Sequence, residues 1–231
     1  MAQKIINVPG LGEVTFTKRR SSKAIRLTLG GNSQVRVTLP TWVPYQAAVT
    51  FLLTKKDWVV SNTKSTLIMG ESALIGKSHR VHFITDQSAL TPKSRVTDTE
   101  IRMTHHPDLD HSSALVQNSL KKAGMRALKQ EGENLLPPKL KILADKHDFT
   151  YNSVSLKRLK ARWGSCSHRS DITLNIFLMQ LPWHLIDYVL VHELSHTKAL
   201  HHGPDFWKIL EKCMPDAKQR KKELKAFHPY F

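Results

Sequence analysis

The sequence predicts an α+β protein, with an N-terminal β-rich region containing one helix over residues 1–100 and a domain of helices plus a small sheet over residues 101–231. Three observations carry this. Apolar and polar residues alternate before about residue 84, apolar residues recur at helical spacing from Ser113 onward, and two short extended runs interrupt the helical part. At 231 residues the chain can bury a sizeable core.

Taken in order, Val14 and Phe16 alternate with polar neighbours, and the runs 24–29 and 34–39 do the same. Gly30-Gly31-Asn32-Ser33 between those runs is a hairpin signal, and Pro40 ends the second. A helix is expected from Pro44 to about Ser61, where Ala47, Ala48, Phe51, Leu52 and Val59 form a stripe. Turns at Gly70-Glu71 and Ile75-Gly76-Lys77 flank short strands, and His79 to Ile84 reads as another strand. Thr85 to Ser112 is polar and is read mainly as the boundary between the two regions. Ser113 to Leu136 is an amphipathic helix with Leu115, Leu120, Ala123, Ala127 and Leu128 near one side; Pro137-Pro138 is expected to break it, with a second helix running to His147. Val154 to Trp163 and Ile172 to Phe177 read as strands joined by a turn through Gly164 to Asp171. A helix from Trp183 to about Leu200 ends before Gly203-Pro204, and two further helices cover 205–213 and 216–226.

Bulk properties narrow the functional classes. The first fourteen residues lack a basic start followed by an apolar run, so no secretory signal is expected. The most apolar stretch, Ile172 to Leu194, is interrupted by Asn175, Pro182, His184, Asp187, His192 and Glu193, which excludes a membrane span. Two cysteines, Cys166 and Cys213, are too few for a disulfide framework or an all-thiolate zinc site, and a reducing cytoplasm is the expected setting. Thirty-five Lys and Arg against nineteen Asp and Glu give a net charge of +16. Such an excess attracts polyanions, so nucleic acid is a possible partner through a basic surface, although no DNA-reading module is visible.

Chemistry concentrates in His192-Glu193-Leu194-Ser195-His196. Two histidines four apart on a helix are separated by about 6 Å of rise and project from one face, where both can bind one metal. Neutral imidazole suits zinc, and Glu193 beside the first ligand can act as general base toward a metal-activated water. With thirteen His and eight Glu in the chain, chance predicts roughly 0.03 such motifs. The helix is otherwise apolar (Ile186, Tyr188, Val189, Leu190, Val191), so its polar groups need partners. A catalytic zinc usually has a third protein ligand. His201 and His202 are the near candidates, and the break at Gly203-Pro204 permits His202 to fold back. His202 also has the metzincin spacing, but the glycine of that pattern is Ala199 here.

Further residues carry a family resemblance. Arg162-Trp163-Gly164-Ser165-Cys166-Ser167, Ile172-Thr173-Leu174-Asn175, Pro182, Asp187 to Val191, the His192–His196 motif, His202-Gly203-Pro204-Asp205-Phe206-Trp207 and Met214-Pro215-Asp216 occur in order. Together they resemble the YgjP-like metallopeptidases, relatives of the SprT and WLM groups. The likeness is strongest over 154–224 and extends in outline to Arg19-Arg20-Ser21-Ser22-Lys23, Leu39-Pro40 and Lys55 to Val60. The resemblance implies a minimal zincin-like metallopeptidase domain, with His192, His196 and His202 holding Zn2+, Glu193 as base and a polypeptide substrate. It also implies an extended peptide pairing with a strand edge beside the active helix, for which Ile172 to Phe177 is the candidate. Cys166 reads as a small turn residue rather than a nucleophile, and Asn175 as a partner for backbone groups. Two other functions are carried forward: a nucleic-acid-associated protease acting on DNA-bound or crosslinked proteins, and a metal-binding domain without turnover.

Overall fold

The structure, a computed structural model, describes residues 2–9, 11–29, 35–62 and 68–229. Its contacts separate two compact units, Met1–Leu67 and Ile68–Phe231.

In the first unit four strands form one sheet: β1 (Gln3–Val8), β2 (Gly12–Arg19), β3 (Arg26–Leu29) and β4 (Val35–Pro40), in the order β1-β2-β4-β3. The expected alternation sends Val14, Phe16, Val35, Val37 and Leu39 inward, where they are buried with Ala48, Leu52 and Val59. β1 was missed by the sequence reading, which began at Val14; its residues are mostly exposed, and it is held by antiparallel pairing with β2. β3 and β4 pair antiparallel, Leu29 opposite Val35; the hairpin signal between them, Gly30 to Ser33, lies outside the described residues. The single helix expected over 44–61 is two, α1 (Tyr45–Thr54) and α2 (Lys56–Asn62). At the junction Thr54 Oγ1 donates to the Phe51 carbonyl (2.8 Å), and Lys55 leaves helical geometry to cap α1 with its N–H.

The second unit is built around α3 (Ala114–Lys146), 33 residues long. Ser113 caps it, its Oγ accepting from Val116 N at 3.4 Å. Pro137 and Pro138 lie inside this helix rather than breaking it. The carbonyls that lose a donor belong to Glu133 and Asn134, which are exposed and can be hydrated, while Leu136, Leu140 and Ala144 hold the following turns against the core. Packed on α3 is a sheet of β5 (Leu74–Ile75), β6 (His79–Thr85), β7 (Lys93–Val96) and β8 (Glu100–His105), in the order β5-β6-β8-β7. The region read as a polar boundary therefore supplies β7 and the central strand β8, and a division at 100/101 cuts β8. Polar surface residues on an edge strand concealed the buried Ile101, Met103 and His105 of its neighbour. Buried Glu131 ties this sheet to α3 by accepting hydrogen bonds from Lys77 N (2.6 Å), Ser78 N (2.8 Å), Ser78 Oγ (2.8 Å) and His79 Nδ1 (2.7 Å).

A second sheet, in the order β10-β11-β9, comprises β9 (Ser153–Lys157), β10 (Gly164–Cys166) and β11 (Asp171–Asn175). β9 and β11 pair in parallel, and β10 occupies part of the expected turn and pairs antiparallel with β11. β11 is thus central, flanked on both sides, and the edge next to the site belongs to β10. This corrects the assignment of Ile172 to Phe177 as the edge strand: Ile172 and Leu174 are wholly apolar and buried, as a central strand requires. A 3₁₀ turn, Ile176–Gln180, leads into α4 (Trp183–Ser195), followed by α5 (Pro204–Cys213) and α6 (Ala217–Leu224). α4 ends at His196 instead of near Leu200, and it buries Leu185, Ile186, Tyr188, Val189, Leu190, Val191 and Leu194 in the core beside α3. At about 1.5–3 kcal/mol per buried side chain, this apolar set anchors the helix that carries the polar site. Among the described residues no helix is long and apolar enough to cross a membrane.

Candidate active site

α4 delivers His192, Glu193 and His196 to one wall of a cleft of about 730 Å³. The next stretch of chain reverses tightly. Thr197 N and Ala199 N donate back to Leu194 and Ser195 carbonyls at 3.0 Å each, Gly203 N reaches the His201 carbonyl at 2.7 Å, and Pro204 opens α5 in its first turn. This reversal returns His202 to α4. The ligand nitrogens of His192, His196 and His202 come within 4.8 Å of one another, with His192 Nε2 and His202 Nε2 3.0 Å apart. His201 is exposed and stands outside this group. Phe206, fully buried in the first turn of α5, packs against all three rings at centroid distances of 4.9, 4.6 and 4.8 Å and holds them in one cluster.

Hydrogen bonding fixes part of the tautomer pattern. The Ala199 carbonyl can only accept, so its 3.1 Å contact places the proton of His196 on Nδ1 and leaves Nε2 as a lone pair. His192 Nδ1 is buried without a hydrogen-bond partner among the described residues. Burial, reinforced by His196, His202 and Lys221, pushes the His192 pKa down to about 3. His196 and His202 are also lowered, burial being the first cause in each. All three rings are therefore neutral near pH 7, the form that binds a cation.

Glu193 is 5% exposed. Burial pushes its pKa up to about 8, against the opposing pull of the Arg162 guanidinium. Its carboxylate lies on β10: a Cβ added to Gly164 would come within 2.6 Å of Glu193 Oε1 and 2.8 Å of Cδ. Only glycine leaves room there. Asn175, wholly buried, sets the position of this wall by donating from Nδ2 to the carbonyls of Leu159 (2.9 Å) and Arg162 (2.7 Å), while its own N–H bonds the Trp163 carbonyl (2.9 Å). The backbone-satisfying role expected for Asn175 is what these bonds describe. Cys166 also lines the cleft, but burial, then Glu193 and Asp171, push its thiol up to about 11, so it is a poor nucleophile.

Two contributors could not be placed at the site from the sequence. The contact between Gly164 and Glu193 joins residues 29 apart and leaves no local signature. The far wall, with Lys221, Leu224, Lys225 and Phe227, comes from α6 and the segment after it. Spacing alone puts Lys221 and Lys225 on one face of a helix, but nothing in the sequence says that this face meets α4.

Comparison with known proteins adds the family. The YgjP-like, metallopeptidase domain description matches residues 23–227. No curated protein matches the chain. Two solved structures are similar over part of it: the metallopeptidase zymogen of Pyrococcus abyssi abylysin, at 25% identity over 42% of this chain and 100% of that one with a TM-score of 0.37, and the metallopeptidase zymogen of Methanocaldococcus jannaschii jannalysin, at 18% identity over 38% and 90% with a TM-score of 0.34. The family match takes in the three-stranded sheet, α4 and the whole imidazole cluster, so the chain belongs to the YgjP-like metallopeptidase domain family.

Proposed function

We propose that this metallopeptidase is zinc-dependent, that His192, His196 and His202 hold the metal, and that Glu193 is its general base. The observation that carries the reading is the convergence of three neutral imidazoles beside a buried carboxylate. Nitrogen donors of borderline softness, three in number, match the ligand set of a catalytic zinc with one position left open. His192 Nε2 and His202 Nε2, 3.0 Å apart, are nitrogens that one cation could share. Zinc held there would supply Lewis acidity, polarising the scissile carbonyl and bringing the pKa of water toward 7.

The remaining steps fall to the chain's own residues. Glu193 Oε takes a proton from the attacking water and returns it to the leaving amine nitrogen. Gly164 keeps that carboxylate in place, and Phe206 fixes the orientation of the imidazoles. The outer edge of β10, adjoining Glu193, offers unpaired backbone groups that suit an extended polypeptide added antiparallel or parallel to the strand. The test combines metal analysis with cleavage of a broad peptide library. One zinc per chain is expected in wild type and in Glu193→Gln, with cleavage by wild type alone; equal cleavage by both would remove Glu193 from its role, and absence of zinc from protein prepared without chelator would remove the metal.

One observation favours the nucleic-acid-associated form of the same activity. Residues 1–67 hold ten Lys and Arg against two Asp and Glu, a net +8. The sheet register sets Arg19, Arg26 and Arg36 on the face opposite Phe16 and Val37, and all three are exposed. Binding to single- or double-stranded DNA that weakens steeply with salt would support this reading, and a flat salt response would end it.

A further inference from the structure

We propose that α6 makes the cleft selective for a carboxylate beside the scissile bond, with Lys221 and Lys225, together with Arg162, as the residues that recognise it. The inference rests on the metallopeptidase reading and names its substrate class.

One face of α6 is fixed to α4. Arg220 Nη1 donates to the His184 carbonyl at 2.8 Å while its Nε pairs with Asp216 Oδ2 at 2.8 Å, and His184 Nε2 meets Glu223 Oε1 at 2.8 Å. These bonds set the rotation of α6 about its axis. Next to these anchors around the helix, Lys221, Leu224 and Lys225 enter the cleft lining. Lys221 is held further by Trp207 of α5, its Nζ lying 4.5 Å from the ring centroid. Arg162, from the chain leading into β10, lines the same cleft as Lys221 and Lys225.

Against three cations, Glu193 is the one carboxylate lining the cleft among the described residues, and it belongs to the catalytic centre. Arg162, Lys221 and Lys225 are exposed, so their charges are accessible to an incoming ligand. A cleft with one sign of charge and low-dielectric walls concentrates ligands of the opposite sign. The ligand chemistry that fits is a carboxylate, supplied either by an Asp or Glu side chain near the scissile bond or by a free peptide C-terminus.

The test uses the full-length protein and three peptide sets: internal Glu with an amidated C-terminus, the same peptides with Gln, and Gln peptides with a free C-terminus. Cleavage by the zinc-loaded enzyme is measured alongside binding to Glu193→Gln protein, with and without zinc. The Glu or free-acid peptides should exceed their neutral counterparts by about tenfold in kcat/KM and in affinity, the preference shrinking with salt. Whichever of the two sets shows the preference identifies the source of the carboxylate. Lys221→Gln should reduce the acid-to-neutral ratio by about two- to fivefold, the range of an exposed ion pair, and Lys225→Glu should reduce it further. Equal handling of all three peptide sets, or a preference that survives both substitutions, overturns the proposal. Preferential binding of acidic peptides without cleavage of any peptide would sink the peptidase reading and uphold the recognition of a carboxylate.

Discussion

Replacing Glu193 by Gln should stabilise the metal-free protein progressively as pH rises from about 4.5 to about 8. The carboxyl is buried, and its pKa moves from an ordinary 4.5 up to about 8 in the folded chain. Between those values the native state binds a proton that the unfolded chain releases, so stability falls with rising pH; below 4.5 both states are protonated and the group is neutral in its effect. At 1.36 kcal/mol for each pH unit crossed, the loss reaches about 3 kcal/mol at pH 7 and about 5 kcal/mol above pH 8. These are upper bounds, because water entering the cleft solvates part of the charge. Gln keeps the shape that fits against Gly164 and has no charge to desolvate. Urea denaturation of both proteins in EDTA, from pH 5 to 9, measures the difference directly. It should grow with pH, and in saturating zinc it should shrink, since a nearby cation favours the carboxylate. A difference that stays constant across the range would refute the burial argument for Glu193.

Three other outcomes follow from the same geometry. In EDTA the protein should also lose stability as pH falls from 6.5 toward 3, by up to about 5 kcal/mol, because His192 stays neutral in the fold while the unfolded chain takes up its proton; His192→Gln should flatten that limb of the curve, and an unchanged limb would count against it. Gly164→Ala should cut peptide hydrolysis about 100-fold, the lower range for a displaced general base, while zinc content stays at wild-type level; normal turnover would mean that Glu193 tolerates a methyl group 2.6 Å from its oxygen. Asn175→Leu leaves the Leu159 and Arg162 carbonyls without their donor and should cost about 1–3 kcal/mol, read as a lower denaturation midpoint together with weaker substrate binding; an unchanged midpoint would show that water replaces the amide.

Legibility in the sequence followed the length scale of the cause. His192, Glu193 and His196 are related by one helical turn, so their shared face could be read from spacing, and the apolar run before them announced a buried helix. The α+β class and most elements were visible for the same reason. The failures have non-local origins. Pro137 and Pro138 were read as a break from their local geometry, yet tertiary burial of Leu136, Leu140 and Ala144 carries α3 through them. β8 was hidden because a strand in a sheet with only one covered face alternates Glu100, Arg102 and Thr104 with Ile101, Met103 and His105, and the polar half dominated the reading. Proximity in sequence suggests a simple turn between the strands that become β9 and β11, when these pair in parallel and the intervening chain supplies β10 instead.

The same distinction explains how a chain can carry so costly a site. His192, held neutral, and Glu193, held protonated in the absence of metal, each make the metal-free fold less stable on one side of neutrality. Neither cost can be relieved locally, because the groups that impose it, Phe206 under the imidazoles and β10 against the carboxylate, are the ones that hold the donors in position. A cation held by the three imidazoles would relieve both at once, by using the His192 lone pair and by favouring ionised Glu193. Metal binding at this site would therefore be coupled to folding of this unit. Zinc should raise the midpoint of thermal unfolding of wild type in proportion to the logarithm of its free concentration above Kd. His202→Ala should reduce that rise while leaving the metal-free midpoint nearly unchanged, since His202 is exposed in the chain reversal after α4. A zinc-independent midpoint in wild type would break the coupling.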